Sequence, residues 1–418
     1  MPDTLAPRQS AVRILTSVLA SDKTLDTAVL ADKNYQTFSE SDRHFIKLLL
    51  LTTLRHMGQI DGILKKVMQK PLARKYQVLQ NILRLSVAQG LFLKTPDYAF
   101  VNTAVSLTRR FQFSNHAKFV NAVLRSILRL KNPLEGLENP TLNIPEWLYH
   151  SWQKTYGANE TNLICQSLLN TPPLDITVQK NPEIYAQKWN GNILPTGSIR
   201  VSETSPEKLS DFQDGNCWIQ NAAASVPAQL FSDISGKRVA DFCAAPGGKT
   251  AQLASRGAFV HAFDISEKRL VRLQENMTRL GFEKQVQITC ADILNLDETT
   301  PFDAVLLDAP CSATGTIARH PELKYHRTPD DIIRLATLQK QLLQKAIRLT
   351  KSGGEIVFST CSLQPEEGDE IIQSALDKVD VIPITDPRFQ AFKTDFGSLR
   401  FLPSQGFDGF YACLMKKK

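Results

Sequence analysis

Arg238-Val-Ala-Asp-Phe-Cys-Ala-Ala-Pro-Gly-Gly-Lys-Thr250 reads as a strand, a tight glycine turn and the start of a helix. Val239, Ala240 and Phe242 supply a short apolar strand, which Pro246-Gly247-Gly248 breaks. Glycine in the turn lets the backbone approach a ligand closely, beside the unpaired N–H groups of a helix opening at Thr250. Such a turn is a small-molecule site.

Downstream of Gly236 the pattern alternates strand and helix, the signature of a doubly wound α/β domain. After the glycine turn comes a helix over 251–256. Strand 259–263 ends at Asp264, helix 267–280 follows, and strand 286–290 ends near Asp292. Strand 303–307 ends at Asp308, just before Ala309-Pro310-Cys311-Ser312. A helix over about 329–349 and a Gly353-Gly354 turn lead to strand 355–359, which ends at Thr360-Cys361-Ser362. Polar groups thus recur at the carboxyl ends of strands, where open α/β sheets bind ligands.

Three ligands compete for the turn. A triphosphate loop would need glycine at position 243, which is Cys243. A dinucleotide would need Gly-x-Gly-x-x-Gly, and Ala244-Ala245-Pro246-Gly247-Gly248 lacks that spacing. Asp264 stands where an acid binds ribose hydroxyls, and Asp292 where one accepts from an adenine amino group. A ribose acid, an adenine-facing acid and no phosphate loop fit S-adenosylmethionine best.

Upstream, residues 8–130 read as helices. The apolar stripes are Val12, Leu15, Val18 and Leu19; Phe45, Leu48, Leu49 and Thr52; Leu79, Ile82, Leu83 and Leu85; Val101, Ala104, Val105 and Thr108; and Phe119 to Leu128. Five or more amphipathic helices make a bundle. Lys65, Lys66, Arg74, Lys75, Arg109, Arg110, Lys118, Arg125, Arg129 and Lys131 punctuate it. Formal charge is +10 over residues 1–140, −4 over 141–235 and +1 over 236–418. A basic excess confined to one region suits contact with nucleic acid. Residues 131–145 read as a linker, and a short mixed region to about Gly236 carries Trp147 and Trp152 on a helix ending near Gly157. The expected division is 1–132, 133–235 and 236–418: a helical bundle, a small α+β region and an α/β domain.

No apolar run approaches the length of a membrane span, and the N-terminal stretch from Met1 shows no export signal. Seven cysteines, with no Cys-x-x-Cys pair, point to reduced thiols in the cytoplasm and to no metal site. Cys165, Cys217, Cys290 and Cys413 read as inert. Cys311 and Cys361 stand just past strand ends that face one pocket. Methyl transfer to an amine needs only a lone pair, and such enzymes place an aromatic ring where Cys311 lies. A cysteine is useful if the acceptor is carbon: a thiolate adding to C6 of a pyrimidine makes C5 an enamine nucleophile.

Cys243-Ala-Ala-Pro-Gly-Gly-Lys-Thr250, Asp308-Ala-Pro-Cys-Ser312, Arg319-His-Pro321, Thr360-Cys-Ser362, Pro365-Glu-Glu367 and Asp408-Gly-Phe-Tyr-Ala412 together resemble the Sun/Fmu class of RNA cytosine-5 methyltransferases. The basic helical region, with Phe119-Val-Asn-Ala-Val-Leu-Arg125, is similar to a NusB-like RNA-binding domain. The resemblance spans nearly the whole chain. It implies a Rossmann-like methyltransferase domain, Cys361 as nucleophile at C6, and Cys311 assisting breakdown of the adduct. It also implies Asp308 near cytosine N3 and the methionine end of the cofactor. Cys243, Ala244, Ala245, Pro246, Gly247, Gly248 and Lys249, with Asp264 and Asp292, would bind S-adenosylmethionine. The implied substrate is a cytidine of 16S ribosomal RNA, naked or partly assembled, acted on by a monomer without a membrane partner. The chain departs from the family pattern at Asn221, at Thr177-Val-Gln179 and at Ser86. A transfer RNA enzyme and a non-catalytic RNA-binding or antitermination factor are the alternatives.

Overall fold

The structure, a computed structural model, describes residues 4–202, 212–297 and 300–418; Met1–Asp3 of the N-terminal stretch lie outside them. The chain forms two compact units. The first is Met1–Asn170 with Ile317–Arg327, and the second is Thr171–Thr316 with Thr328–Lys418.

The first unit is all-helical through Ala6–Ala20, Leu25–Ala31, Glu40–Arg55, Met57–Val67, Gln77–Val87, Asp97–Arg110 and Ala117–Leu128. One apolar core unites them, including Val12, Leu15, Ile46, Leu49, Ile82, Ala104 and Val120. Leu48 and Phe119, expected in the stripes, are instead exposed, and Ile46 and Leu50 take the inward positions on their helix. Periodicity placed the stripe one position off where four leucines run together. All ten punctuating basic residues are exposed.

The expected linker is fastened to this unit. Asn143 is buried, accepting from Gln59 N–H at 3.1 Å and donating to Gln59 Oε1 at 3.1 Å. The helix Glu146–Ser167 does not end at Gly157 but breaks there, at φ 78°, and resumes. Trp152 is fully buried, and Trp147 is half-buried.

Residues 317–327 complete the first unit. Arg55 donates through Nε and Nη2 to Ala318 O at 3.2 and 2.9 Å. Lys324 Nζ donates to Arg55 O at 3.1 Å, Tyr325 Oη to Leu54 O at 3.0 Å, and Glu322 Oε1 accepts from Leu25 N–H at 3.0 Å.

In the second unit a small antiparallel sheet is built from β1 (Leu174–Val178), β2 (Asn192–Ile193), β3 (Ile199–Val201) and β4 (Cys217–Ile219), in the order β2-β3-β1-β4. Gln179, where the sequence departs from the family, is tied down structurally: its Nε2 donates to Gly215 O and Leu280 O. Asn221 accepts the N–H groups of Ala223 and Ala224 at 2.9 and 3.3 Å, a turn that an aspartate would also cap.

The main sheet contains β5 (Arg238–Phe242), β6 (Phe259–Asp264), β7 (Val286–Cys290), β8 (Phe302–Asp308), β9 (Thr350–Thr360), β10 (Val379–Val381), β11 (Leu399–Phe401) and β12 (Phe410–Lys417). Its order is β10-β12-β9-β8-β5-β6-β7, with β11 paired to β12. Strands β9, β8, β5, β6 and β7 run parallel, while β12 is antiparallel to β9. Helices Gly248–Ser255 and Glu267–Leu280 cover one face through Ala251, Leu253, Leu273 and Met277. Helix Pro329–Leu349 covers the other through Leu342, Leu343, Ala346 and Ile347. Strand order reverses at β5, between β6 and β8, so a crevice opens at their carboxyl ends. Among the described residues no helix is long and apolar enough to cross a membrane.

Candidate active site

The glycine turn leaves β5 at Cys243, whose φ is 63°, and reaches Gly247 at φ 103°. A Cβ on Gly247 would stand 2.9 Å from Leu273 Cγ, so both the left-handed backbone and the packing require glycine. The helix begins at Gly248, two residues before the position read from sequence. Thr250 turns inward: its hydroxyl donates to the buried Asp241 Oδ2 at 2.6 Å. Burial pushes the Asp241 carboxyl up to about 7.

Two adjoining cavities flank this turn. One of about 460 Å³ is lined by Cys243 to Lys249 and by Gln220, Asn276 and Asp308. The other, about 320 Å³, gathers Cys243, Asp264, Asp292, Asp308, Cys311 and Cys361, with Ile265, Ala291, Ile293 and Leu342 as apolar walls. The turn residues Cys243 to Lys249, the three acids and the two cysteines singled out in the sequence each line one or both of them. Five strand ends therefore converge on one crevice.

The acids are held in place by local bonds. Asp264, nearly buried, accepts the N–H groups of Ala245 at 3.2 Å and Ser266 at 2.9 Å. Asp292 accepts from Leu294 N–H at 3.0 Å and from Asn295 at 2.7 Å. Each keeps lone pairs free for a ligand hydroxyl or amine. Asp308 Oδ2 pairs with Lys249 Nζ at 2.7 Å, and its Oδ1 accepts from Ser359 Oγ at 2.8 Å. Lys249 also stands 5.1 Å over the Phe410 ring, inside the C-terminal Asp408–Ala412 stretch. The pairing of Lys249 with Asp308 is a contact sequence reading missed, since the two are 59 positions apart.

Cys311 and Cys361 are both half-buried, and their sulfurs lie 3.3 Å apart. The Cys311 thiol is held well above its ordinary value, first by its hydrogen bond to Cys361, then by burial and by the charges of Cys361 and Glu367. Of the other five cysteines, Cys243 lines both cavities, while Cys165, Cys217 and Cys413 are buried and Cys290 is exposed, and none of these four lines either cavity. Beneath the pair, two backbones meet. Gly315 N–H donates to Cys361 O at 3.0 Å, and Gly409 N–H to Gly315 O at 2.8 Å. A Cβ on Gly409 would lie 2.7 Å from Gly315 Cα and 2.6 Å from Leu363 Cδ2, which explains glycine in the Asp408-Gly409 pair.

A Rossmann-like sheet with a glycine turn, acids at successive strand ends and a methyltransferase arrangement of strands defines the class, and the matches to known families agree. Residues 228–416 match the family described as 16S rRNA methyltransferase RsmB/F, and residues 5–129 match the NusB family. The chain is 32% identical over 416 residues to a probable ribosomal RNA small subunit methyltransferase B of Bacillus subtilis, covering 91% of this chain and 92% of that one. It is 30% identical to the ribosomal RNA small subunit methyltransferase B of Pasteurella multocida, over 99% of this chain and 96% of the relative. The crystal structure of PH0851 superposes with a TM-score of 0.77 at 25% identity, covering 98% of this chain and 99% of that one. The chain belongs to the RsmB/F family of ribosomal RNA methyltransferases, with a NusB-type helical region.

Proposed function

We propose that the protein methylates C5 of a cytidine in 16S ribosomal RNA through a covalent bond between Cys361 and C6. The observation that carries this reading is the pair of sulfurs 3.3 Å apart, opening into the same cavity as Asp264, Asp292 and Asp308. The crevice suits S-adenosylmethionine: it has a glycine turn along its lining, apolar walls and acids with free lone pairs. Bound there, that cofactor supplies an electrophilic methyl group.

In this reading residues 243–249 and Asp264 hold the methionine and ribose portions, and Asp292 receives the adenine amino group. Cys361 Sγ adds to C6, which turns C5 into a nucleophilic enamine carbon. Cys361 directly follows strand β9 and opens into the same cavity, 3.3 Å from the second sulfur. After C5 is alkylated, its proton passes to water, the C5–H electrons form the C5=C6 bond, and the C6–S bond breaks with its electron pair returning to Cys361, Cys311 assisting release. Asp308, fixed by Lys249 and Ser359, meets the cytosine edge near N3. A target in a helix must be flipped out to reach this depth.

The exposed basic residues of the helical unit, among them Arg109, Arg110 and Lys118, supply phosphate contacts. A single chain carries every group the chemistry uses, so a monomer is the acting species, working in the cytoplasm. The test is methyl transfer to purified 16S RNA and, in parallel, to transfer RNA, with nucleoside analysis of the product. Cofactor-dependent 5-methylcytidine in 16S RNA alone supports the reading. Methylation of transfer RNA instead moves the substrate, and no methylation leaves a binding factor.

A further inference from the structure

The Pro365–Glu367 turn ends in a carboxylate that the chemistry above does not use. Glu367 is fully buried, and no Lys, Arg or His pairs with it among the described residues. Burying a carboxylate without a cation is costly unless hydrogen bonds replace its water. Here they do. Oε1 accepts from Ser312 N–H at 2.8 Å and Gln339 Nε2 at 3.0 Å. Oε2 accepts from the Ser312 hydroxyl and from Ser362 Oγ at 2.5 Å.

The origin of these donors matters more than their number. Ser312 follows Cys311, and Ser362 follows Cys361, so one carboxylate grips both cysteine loops at the next residue. Gln339 adds a second hold, donating from the same Nε2 to Pro310 O at 2.9 Å. Thr314 joins the loops again, accepting from Leu363 N–H at 3.0 Å. A fold needing only to fill this space could have used an apolar side chain at lower cost.

We propose that Glu367 is a positioning residue that sets the contact between Cys361 and Cys311 by clamping Ser312 and Ser362. The proposal rests on those two cysteines being the reacting pair. Glu367 touches neither substrate nor cofactor. It acts by fixing where the sulfurs sit.

The test uses the full chain as Glu367→Gln and Glu367→Ala, each checked for melting temperature and S-adenosylmethionine affinity. Glutamine keeps the size, and the serine hydroxyls can turn to accept from its amide; alanine releases both loops. The first readout is independent of RNA. Diamide removes one electron and one proton from each thiol, joins the sulfurs and is itself reduced to the hydrazine. Peptide mapping follows the Cys311–Cys361 disulfide. Misplacing reacting groups by about 1 Å costs on the order of 100-fold in rate. For Glu367→Ala we expect turnover to fall by about that factor, and disulfide closure by at least about tenfold, with the RNA KM within about twofold. Glu367→Gln should fall between alanine and the parent in both. A folded Glu367→Ala protein with unchanged closure overturns the proposal, as does a loss confined to KM or tracking melting temperature. Failure of the methylation reading would show in the parent protein. Failure of the clamp would show only in the variants.

Discussion

Each unit buries charge, and the two clusters differ in what that charge faces. In the helical unit, Lys324 and Arg55 are nearly or fully buried, and the contacts described above are to backbone carbonyls. Burial pushes Arg55 down to about 10, and burial with the neighbouring Arg55 charge pushes Lys324 down to about 7. In the sheet unit, the Glu367 carboxylate accepts from two hydroxyls and two N–H groups, three of them on the serines that follow Cys311 and Cys361. The cationic cluster ties a segment to helices; the anionic one ties together the two loops that carry Cys311 and Cys361. Buried charge does not mark an active site by itself. It does so when its partners lead into a cleft.

The strongest way to break this contrast is to remove the Cys361 sulfur, proposed above to attack C6. Cys361→Ala should lower methyl transfer by at least about 10³-fold while cofactor binding persists, measured by tritium incorporation and calorimetry. Retained turnover would take the sheet cluster out of catalysis. Cys311→Ala sharpens the division of labour within the pair. It should slow turnover by about 100-fold and accumulate a denaturant-resistant protein–RNA adduct on gels. An adduct that required Cys311 would exchange the two roles.

The helical unit should respond more weakly and in a different variable. Arg109→Gln or Arg110→Gln should loosen RNA binding a few-fold and flatten the salt dependence, by about 0.7–0.9 in log–log slope per lost phosphate contact. A salt-insensitive parent would remove this unit from phosphate binding. The smallest effect concerns Lys324. Between about pH 7 and its ordinary value of 10.5, the unfolded chain binds a proton that the folded chain does not. Stability from this group therefore rises with pH across that window, and the cost is fully present below it. Lys324→Met should raise the melting temperature at pH 7 by about 2–4 °C and flatten the rise, by scanning calorimetry.

The parallel sheet was legible because each strand is an apolar run closed by a polar residue in the crevice. Asp264, Asp308 and Cys361 could thus be placed before any coordinates. The cysteine pair was legible for the same reason. Glu367 lay in a motif quoted from sequence, yet its role depends on bonding to Ser312, 55 positions away, and no local pattern records that convergence. The helix break at Gly157 looked like an end because glycine signals both. Leu48 and Phe119 were misplaced because a stripe of period 3.6 does not reveal which side meets a neighbour.

The return of Ile317–Arg327 to the helical unit has a practical consequence for dissecting this protein. No single cut separates the units intact. Cleavage after Asn170 would strip Ala318 O from Arg55, Glu322 from the Leu25 N–H and Tyr325 from Leu54 O. The released helices would turn the Leu25 N–H, Leu54 O and the Arg55 guanidinium out to water. A fragment meant to report on the helical unit alone must bring the eleven-residue strand of chain with it, grafted or supplied as a peptide. Recovery of helical stability on adding that peptide would measure how much of one unit is encoded inside the other.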